Sequence, residues 1–465
     1  MKNFISYLYN ISPVYIQNIL ISTYGYNLKK SRYGDRYNIE LAAFKDRESF
    51  TSQKWRDYQT IELRKLLIHA FHTVPYYYEK YKKHGFTHTD FKKFELEDLH
   101  KLPFLEKEDF RKYGRTTLLS TKKKKGSFIS SSGSTGTPTS TYYSDNFKQT
   151  WFAAYESRVR NWAGVNLNMN RGMIGGKQII NKPNALPPYY RYNRAENQTY
   201  FSAYHISEST VQNYVSGIRN NKVEYMVGYA FSNFQLANLI IEHKIEVPKL
   251  RAVLTSSEKL TKEMREIMSK AYGCKIFDSY SGVEACGLIS ENKNGEFLSS
   301  PDTGIMEILD INGNDINDGE EGELVCTGLL NFDQPLIRYK IGDRVKTSKE
   351  QKTISGLNFL KIDEICGRVE DFVICLDGRK IVRFHILFID IKGLLMGQIV
   401  QEKLDYFIIN IVVNKYYVKL NDMLIIDRLK KQVSNQIEIK INRVKKIPLN
   451  NNGKFQAVIS KLKNE

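Results

Sequence analysis

Apolar positions recur along this chain with two different periods. Between residues 53 and 85, Leu63, Leu66, Leu67, Ala70 and Phe71 fall on one helical face. Val74-Pro75 interrupts that helix, because proline has no amide hydrogen to continue it. Pro103 and the mixed acidic and basic segment after it predict a turn and another helix. Phe128-Ile129 and Thr141-Tyr142-Tyr143 read as short strands around a stretch with no hydrophobic period. From about residue 145 to 280, helical stretches alternate with short apolar runs. Met173-Ile174, Tyr225-Met226-Val227, Ala252-Val253-Leu254 and Lys275-Ile276-Phe277 read as strands, and 234–243 and 261–271 as helices. This alternation predicts an α/β sheet. Ligands in such sheets lie beyond the carboxyl ends of the strands. Thr255-Ser256-Ser257-Glu258 and Asp278-Ser279-Tyr280-Ser281-Gly282 are therefore site candidates. From 297 to about 365 the pattern changes to short strands with Gly, Asn and Asp turns. The stretch 310–321 has some calcium-loop ligands, but Asp315 stands where that loop needs glycine, so it reads as a hairpin turn. From Arg368 a basic segment with its own strand–helix pattern reads as a separate small domain, dividing the chain into 1–367 and 368–465.

The stretch without a period is Ser130-Ser131-Ser132-Gly133-Ser134-Thr135-Gly136-Thr137-Pro138-Thr139-Ser140-Thr141. Gly133 and Gly136 let the backbone turn tightly and approach a ligand. The amides of such a turn form a nest for an anion, with hydroxyls as further donors. No Gly-Lys-Ser/Thr follows, so it is not a Walker A loop. On composition alone it is equally a flexible Ser/Gly linker.

Bulk properties narrow the picture further. With 465 residues, 42% hydrophobic and 12% aromatic, the chain is globular and long enough for two or more domains. The net charge of +18 is spread along the chain as lysine, which argues for compositional bias and against a nucleic-acid partner. The densest run, Lys122-Lys123-Lys124-Lys125, precedes the hydroxyl-rich loop, where it can steer a polyphosphate or touch an acidic membrane surface. Cys274, Cys286, Cys326, Cys366 and Cys375 form neither a CxxC pair nor a disulfide framework, so reduced thiols in the cytoplasm are expected. The first 22 residues are apolar in places, but Asn10, Pro13, Gln17 and Asn18 break the run and no small-residue cleavage site appears. They read as a docking helix, with a membrane-surface helix as the alternative.

Several polar clusters occur in a set order, and together they resemble the adenylate-forming (AMP-binding) superfamily. The branch most similar is that of the phenylacetate–CoA ligase-like proteins linked to capsular polysaccharide biosynthesis. The resemblance runs over nearly the whole chain. It rests on Leu67-Ile68-His69-Ala70-Phe71-His72-Thr73-Val74-Pro75-Tyr76-Tyr77, Leu102-Pro103-Phe104-Leu105-Glu106-Lys107, Tyr225-Met226-Val227-Gly228-Tyr229 and the hydroxyl-rich loop. Tyr280-Ser281-Gly282-Val283-Glu284, Arg338-Tyr339-Lys340-Ile341-Gly342-Asp343, Gly367-Arg368-Val369-Glu370-Asp371 and Ile447-Pro448-Leu449-Asn450-Asn451-Asn452-Gly453-Lys454-Phe455 extend it.

The resemblance implies a large N-terminal adenylating domain with mixed β-sheets and flanking helices, and a small mobile α+β C-terminal domain. It implies ATP, Mg²⁺ and a small carboxylate as ligands, with CoA as the default acceptor and a sugar amine or hydroxyl as the alternative. Ser131, Ser132, Gly133, Ser134, Thr135, Gly136 and Thr137 would cradle phosphates. Ser257 and Glu258 would edge the adenine, against which Tyr280 lays its ring, with Ser281 nearby. Glu284 offers a hard oxygen to Mg²⁺; the weaker alternative for that glutamate is a cap for a following helix. The 255–258 stretch likewise reads as a helix N-cap. Asp343 can accept from both ribose hydroxyls. Arg368 would contact ribose or phosphate, Glu370 would be the hinge, and Lys454 the catalytic lysine. The sequence departs from the family pattern in several places, among them Thr137, where phenylacetate ligases often have lysine, and Glu370, where Asp is usual. Thr139 stands where many members have lysine, and Val283 where a Thr or Ser donor is usual. A binding protein that keeps the fold without the catalysis is the competing reading.

Overall fold

The computed structural model describes residues 8–130, 139–180, 185–368, 373–378, 380–381, 385–388, 391–448 and 455–464. The chain divides into two compact units, 1–341 with 346–364, and 342–345 with 365–465. Among the described residues no helix is long and apolar enough to cross a membrane.

The first unit opens with helices. Val14–Arg32 and Asp35–Arg47 precede Ser52–Thr73, whose first turn is capped by the Thr51 side chain accepting from the Lys54 amide at 3.3 Å. Val74 alone separates Ser52–Thr73 from Pro75–Lys83. The break expected at Val74-Pro75 is thus one residue wide, with Pro75 starting the second helix, where its missing amide hydrogen is not needed.

Strands follow: β1 (Gly126–Ser130), β2 (Ser140–Ser144), β3 (Arg171–Gly175), β4 (Tyr190–Asn193), β5 (Gln198–Ser202), β6 (Tyr225–Tyr229), β7 (Ala252–Ser256) and β8 (Lys275–Tyr280). After them come β9 (Ile289–Glu291), β10 (Phe297–Ser299), β11 (Gly304–Leu309), β12 (Glu321–Gly328), β13 (Tyr339–Thr347) and β14 (Lys361–Arg368). β1 and β2 form a hairpin; the others make one sheet in the order β11-β12-β13-β14-β10-β9-β8-β7-β6-β3-β5-β4. β5, β3, β6, β7 and β8 run parallel. Their crossovers include the helices Val211–Asn220, Ala230–Glu242 and Lys262–Tyr272. Buried Val159, Val165, Tyr225, Ala252, Leu254, Phe277 and Leu288 pack together against this sheet. The stretch 310–321 is a hairpin turn, as expected: the Asp310 carboxylate accepts from the Asn312 and Asn314 amides at 2.8 and 2.9 Å, between antiparallel β11 and β12.

Burial here includes charge. Arg158 is fully buried, pairs with Asp302 at 3.1 Å and with Glu48, and donates to the Phe44 carbonyl at 2.8 Å. Arg47 reaches the same Asp302 at 2.9 Å. A buried guanidinium without such partners would be strongly destabilising.

In the second unit, β15 (Val373–Ile374) pairs with β16 (Lys380–Ile381). β17 (Leu394–Gln401), β18 (Tyr406–Val413), β19 (Glu438–Arg443) and β20 (Val458–Ser460) form a sheet in the order β19-β18-β17-β20. Alternate residues Phe407, Ile409 and Ile411 of β18 are buried with Ile425 and Leu429 of the helix Leu420–Gln432. Together the two units are the mixed α/β architecture with a small α+β domain.

One backbone position tests how tightly the parallel strands meet. Gly228 has φ of 132°, and an added Cβ would run into the Ile174 carbonyl on the neighbouring strand. Gly228→Ala should destabilise the first unit by about 3 kcal/mol or more, seen as a lowered unfolding midpoint or loss of soluble protein. An unchanged midpoint would show that the two strands can separate without penalty.

Candidate functional site

The register of the three central strands brings their polar ends together. Tyr229 pairs with Ser256, and Ser256 with Ser279, across β6, β7 and β8. Ser257, just past the end of β7, and Tyr280, the last residue of β8, each follow the Ser256–Ser279 pair by one residue. Ser257 has a left-handed φ of 71°. Beyond this turn, the Glu258 carboxylate accepts from the Phe231 amide at 2.9 Å. That amide belongs to the first turn of Ala230–Glu242, where backbone donors lack helical partners. The helix after β7 is capped instead by Thr261, which accepts from the Met264 amide at 3.2 Å. The N-cap expected within 255–258 is therefore Thr261, and Glu258 serves the preceding helix. Burial, with Glu258 nearby, pushes the Tyr229 phenol up to about 12. His205 is held by Ser202 Oγ at 2.7 Å and stacks on Tyr189, with ring centroids 5.1 Å apart.

At the end of β8, Ser279 Oγ donates to the Thr255 carbonyl at 3.0 Å, and Thr255 Oγ1 donates to Asp278 at 2.8 Å. Burial pushes the Asp278 carboxyl up to about 7, and nearby Glu291 adds to the shift. Ser281 makes a local bond from Oγ to the Gly282 carbonyl at 3.1 Å. No helix follows Glu284, so the capping role does not arise. Glu284 is buried, and its Oε1 accepts from Thr139 Oγ1 at 2.9 Å. The adjoining Val283 carbonyl accepts from the Tyr143 hydroxyl at 2.8 Å. Burial, and then the Glu284 charge, raise the Tyr143 phenol. An added Cβ on Gly282 would collide with Glu284 Oε2, so the glycine leaves that oxygen its space.

Thr139 and Tyr143 belong to the hairpin arm that leaves the hydroxyl-rich loop. Ser130 of β1 pairs with Ser140 of β2, and their hydroxyls lie 2.9 Å apart. The loop between these strands is thus mounted on a hairpin tied twice to the β8 end. Ser131, Ser132, Gly133, Ser134, Thr135, Gly136 and Thr137 themselves lie outside the described residues, as do Glu370 and Lys454. Asp343 lies within β13 and groups with the second unit. Of Arg368 only the backbone is described, as the last residue of β14. In the same motif as Asp343, Arg338 is a buried anchor that donates to Glu307 at 2.8 and 3.1 Å and to the carbonyls of His100 and Leu102 at 2.8 and 2.7 Å.

The first unit therefore brings Tyr229, Ser257, Glu258, Tyr280, Ser281 and Glu284 to one end of its parallel strands. Sequence reasoning missed the Thr255–Asp278 and Thr139–Glu284 bonds. Asp278 stood within a flagged strand end, but its partner Thr255 is on another strand. Among the described residues no group of three or more His, Cys, Asp and Glu could hold a metal ion. Glu284 alone suits Mg²⁺, which keeps several waters and takes one or two carboxylates plus substrate phosphates. The cysteines Cys274, Cys286, Cys326, Cys366 and Cys375 are free thiols.

The fold with these strand ends is that of the adenylate-forming enzymes. It matches 2-hydroxyisobutyryl-CoA ligase in the postadenylation state in complex with R3-HIB-AMP, with a TM-score of 0.66 at 17% identity, covering 89% of this chain and 91% of that one. Residues 373–461 match the family model of the CapK C-terminal domain. The chain is 28% identical to Protein CapK of Staphylococcus aureus over 99% of its own length and all of that protein. It is also 26% identical to the phenylacetate-coenzyme A ligase of Pseudomonas putida, over 73% of this chain and 76% of that one. The chain is thus similar to CapK along its whole length and to the phenylacetate–CoA ligases over about three quarters of it.

Asp278 gives this site a pH signature. Its folded-state value of about 7 lies above the unfolded value of 3.8. Its contribution is therefore fully present below the unfolded value and is lost as pH rises through the folded one. Relative to the parent, Asp278→Asn should gain stability between pH 5 and pH 8, as read by urea denaturation at both pH values. A parent–variant difference that does not change with pH would show that Asp278 is ionised throughout.

Proposed function

We propose that this protein activates a small carboxylate with ATP and passes the acyl group to a nucleophile. The observation that supports this most is the buried Glu284 carboxylate, joined by Thr139 to the hairpin that carries the hydroxyl-rich loop. In this reading the substrate carboxylate attacks the α-phosphorus, the bond to pyrophosphate breaks, and an acyl-adenylate forms. A thiol or other nucleophile then attacks the acyl carbon, and AMP leaves.

Tyr280 faces the adenine, with Ser257, Glu258 and Ser281 at its edge, and Asp343 accepts from the ribose hydroxyls. The loop Ser131–Thr137 donates to phosphates through amides and hydroxyls. Glu284 would hold Mg²⁺, which neutralises phosphate charge when bound. Lys454 donates to the charge redistributed as pyrophosphate leaves, and Arg368 to ribose or phosphate. The domain from 368 onward rotates between the half-reactions, taking Lys454 away before transfer. CoA is the default acceptor, and the capsule-linked branch makes a sugar amine or hydroxyl the second. The free thiols agree with a cytoplasmic setting. Val283 favours a second reading, a scaffold that keeps the fold: its side chain offers no donor, and its carbonyl is taken by Tyr143.

Pyrophosphate release with a panel of carboxylates separates the two readings, because the scaffold releases none with any acid. For the enzyme, Glu284→Gln should remove the metal-dependent part of ATP binding in calorimetry. Asp343→Ala should cost about 1–3 kcal/mol of nucleotide affinity. Parent-like binding in a folded variant would end the role of that residue.

Lys454→Ala separates the half-reactions. Acyl-adenylate formation should fall about 100-fold or more, the scale of losing a transition-state donor. Transfer from a chemically prepared acyl-adenylate should stay near the parent rate. Equal loss in both steps would rule out the rotation, and no loss in either would make Lys454 a solvated surface residue.

A further inference from the structure

The N-terminal helix Val14–Arg32 is attached to the first unit by its polar side. Gln17, Ile21 and Gly25 are its buried residues. Gln17 accepts from the Arg191 side chain, Asn18 Oδ1 from the Tyr192 amide at 3.0 Å, and Ser22 Oγ from the Arg194 amide at 3.0 Å. Arg32 pairs with buried Glu196 at 3.1 Å. Asn18 and Ser22 thereby occupy outward amides of β4 and the residue after it, at the edge of the sheet. An added Cβ on Gly25 would collide with Asn193, so this close approach requires glycine.

An outer side of the helix, next to exposed Thr23 and Asn27, carries open apolar residues. Tyr15 is 65% exposed, Ile19 57% and Tyr26 63%. Spacings of four and seven residues align them in one stripe. Leu20 and Tyr24 are exposed on a different side of the same helix, and exposed Leu8 and Ile11 precede it. Exposed Leu186 belongs to a neighbouring segment, since Ala185 and Tyr189 pack in one cluster with Ile21. A helix of a water-facing protein ordinarily turns its apolar stripe inward. Here the inward contacts are mostly polar and the apolar stripe faces out, an arrangement that marks an interaction surface.

Charge identifies the occupant. The first 34 residues contain no Asp or Glu, and Asp35 is the first acid in the chain. Exposed Lys29 and Lys30 flank the stripe at its C-terminal end, and Lys177 lies over the Tyr24 ring at 4.8 Å. The carboxylate met on the inner side, Glu196, is buried and paired with Arg32. A cationic face repels its own copy, whereas anionic lipid attracts it. Tyrosines, with an apolar ring and a polar tip, suit the headgroup level. We propose that this helix lies in the surface of an anionic bilayer, with Tyr15, Ile19 and Tyr26 in the headgroup–acyl boundary and Lys29 and Lys30 against lipid phosphates. This is interfacial attachment and not a span, and it does not depend on the adenylation reading.

The test is sedimentation of the full chain with vesicles of phosphatidylcholine alone and with added phosphatidylglycerol. The parent should bind the anionic vesicles and be released by salt. Ile19→Asp should lower the partition coefficient about ten-fold or more, since it removes a buried aliphatic side chain and adds a repelled charge. Lys29→Glu with Lys30→Glu should remove the preference for anionic lipid. All these side chains are exposed, so the unfolding midpoint should not move. Absence of vesicle binding, or binding indifferent to Ile19→Asp, would overturn the proposal. Self-association that Ile19→Asp abolishes, without vesicle binding, would assign the face to a second copy instead.

Discussion

A carboxylate withdrawn from water has to be hydrogen-bonded, paired or protonated, and Glu284 imposes that requirement at the centre of the site. Thr139 supplies the hydrogen bond from 145 residues away in the chain. Gly282 supplies room beside the second oxygen by having no side chain there. Tyr143 takes the adjoining carbonyl of Val283. These contacts join two pieces of chain that share no secondary structure, the hairpin of β1 and β2 and the turn after β8. The position after Pro138, a lysine in many relatives by resemblance, is here a buried neutral hydroxyl. A lysine would bring a charge to the carboxylate, whereas threonine brings a single neutral donor.

The same division between local and distant information explains what the sequence disclosed. The parallel strands were legible because each is a short apolar run closed by polar residues, a pattern contained in a few positions. The strand ends Thr255–Glu258 and Asp278–Gly282 were legible for that reason, and the register of β6, β7 and β8 aligns them. The partner of Glu258 was not legible: it is an amide 27 residues earlier, and nothing near Glu258 announces it. Arg158 is the stronger case. Composition places arginine at the surface, and the carboxylates that make its burial tolerable are 110 and 144 residues distant. The N-terminal helix docks, as expected, and two of the residues that interrupt its apolar segment, Gln17 and Asn18, are on the side by which it is attached.

Backbone strain follows the site closely. Six described residues other than glycine have left-handed φ. Asn197, Lys222 and Lys244 end helical turns, where such a conformation is ordinary. Ser257, Ala285 and Arg338 do not. Ser257 immediately precedes Glu258, Ala285 immediately follows Glu284, and Arg338 starts the motif that ends at Asp343. Residues in this region cost of order 1–3 kcal/mol and persist only where their surroundings over-determine them. An anchor is present at each: Glu258 on the Phe231 amide, Glu284 on Thr139, and Arg338 on Glu307 and two carbonyls. In the first two the strained residue adjoins the anchored carboxylate; in the third the strained residue is the anchor. Removing an anchor should therefore do more than delete one hydrogen bond. It releases a turn that has no local reason to keep its shape, so the direction of the neighbouring carboxylate is lost with the bond. The polar strand ends are held by distant contacts for this reason: local sequence preference would not hold them there.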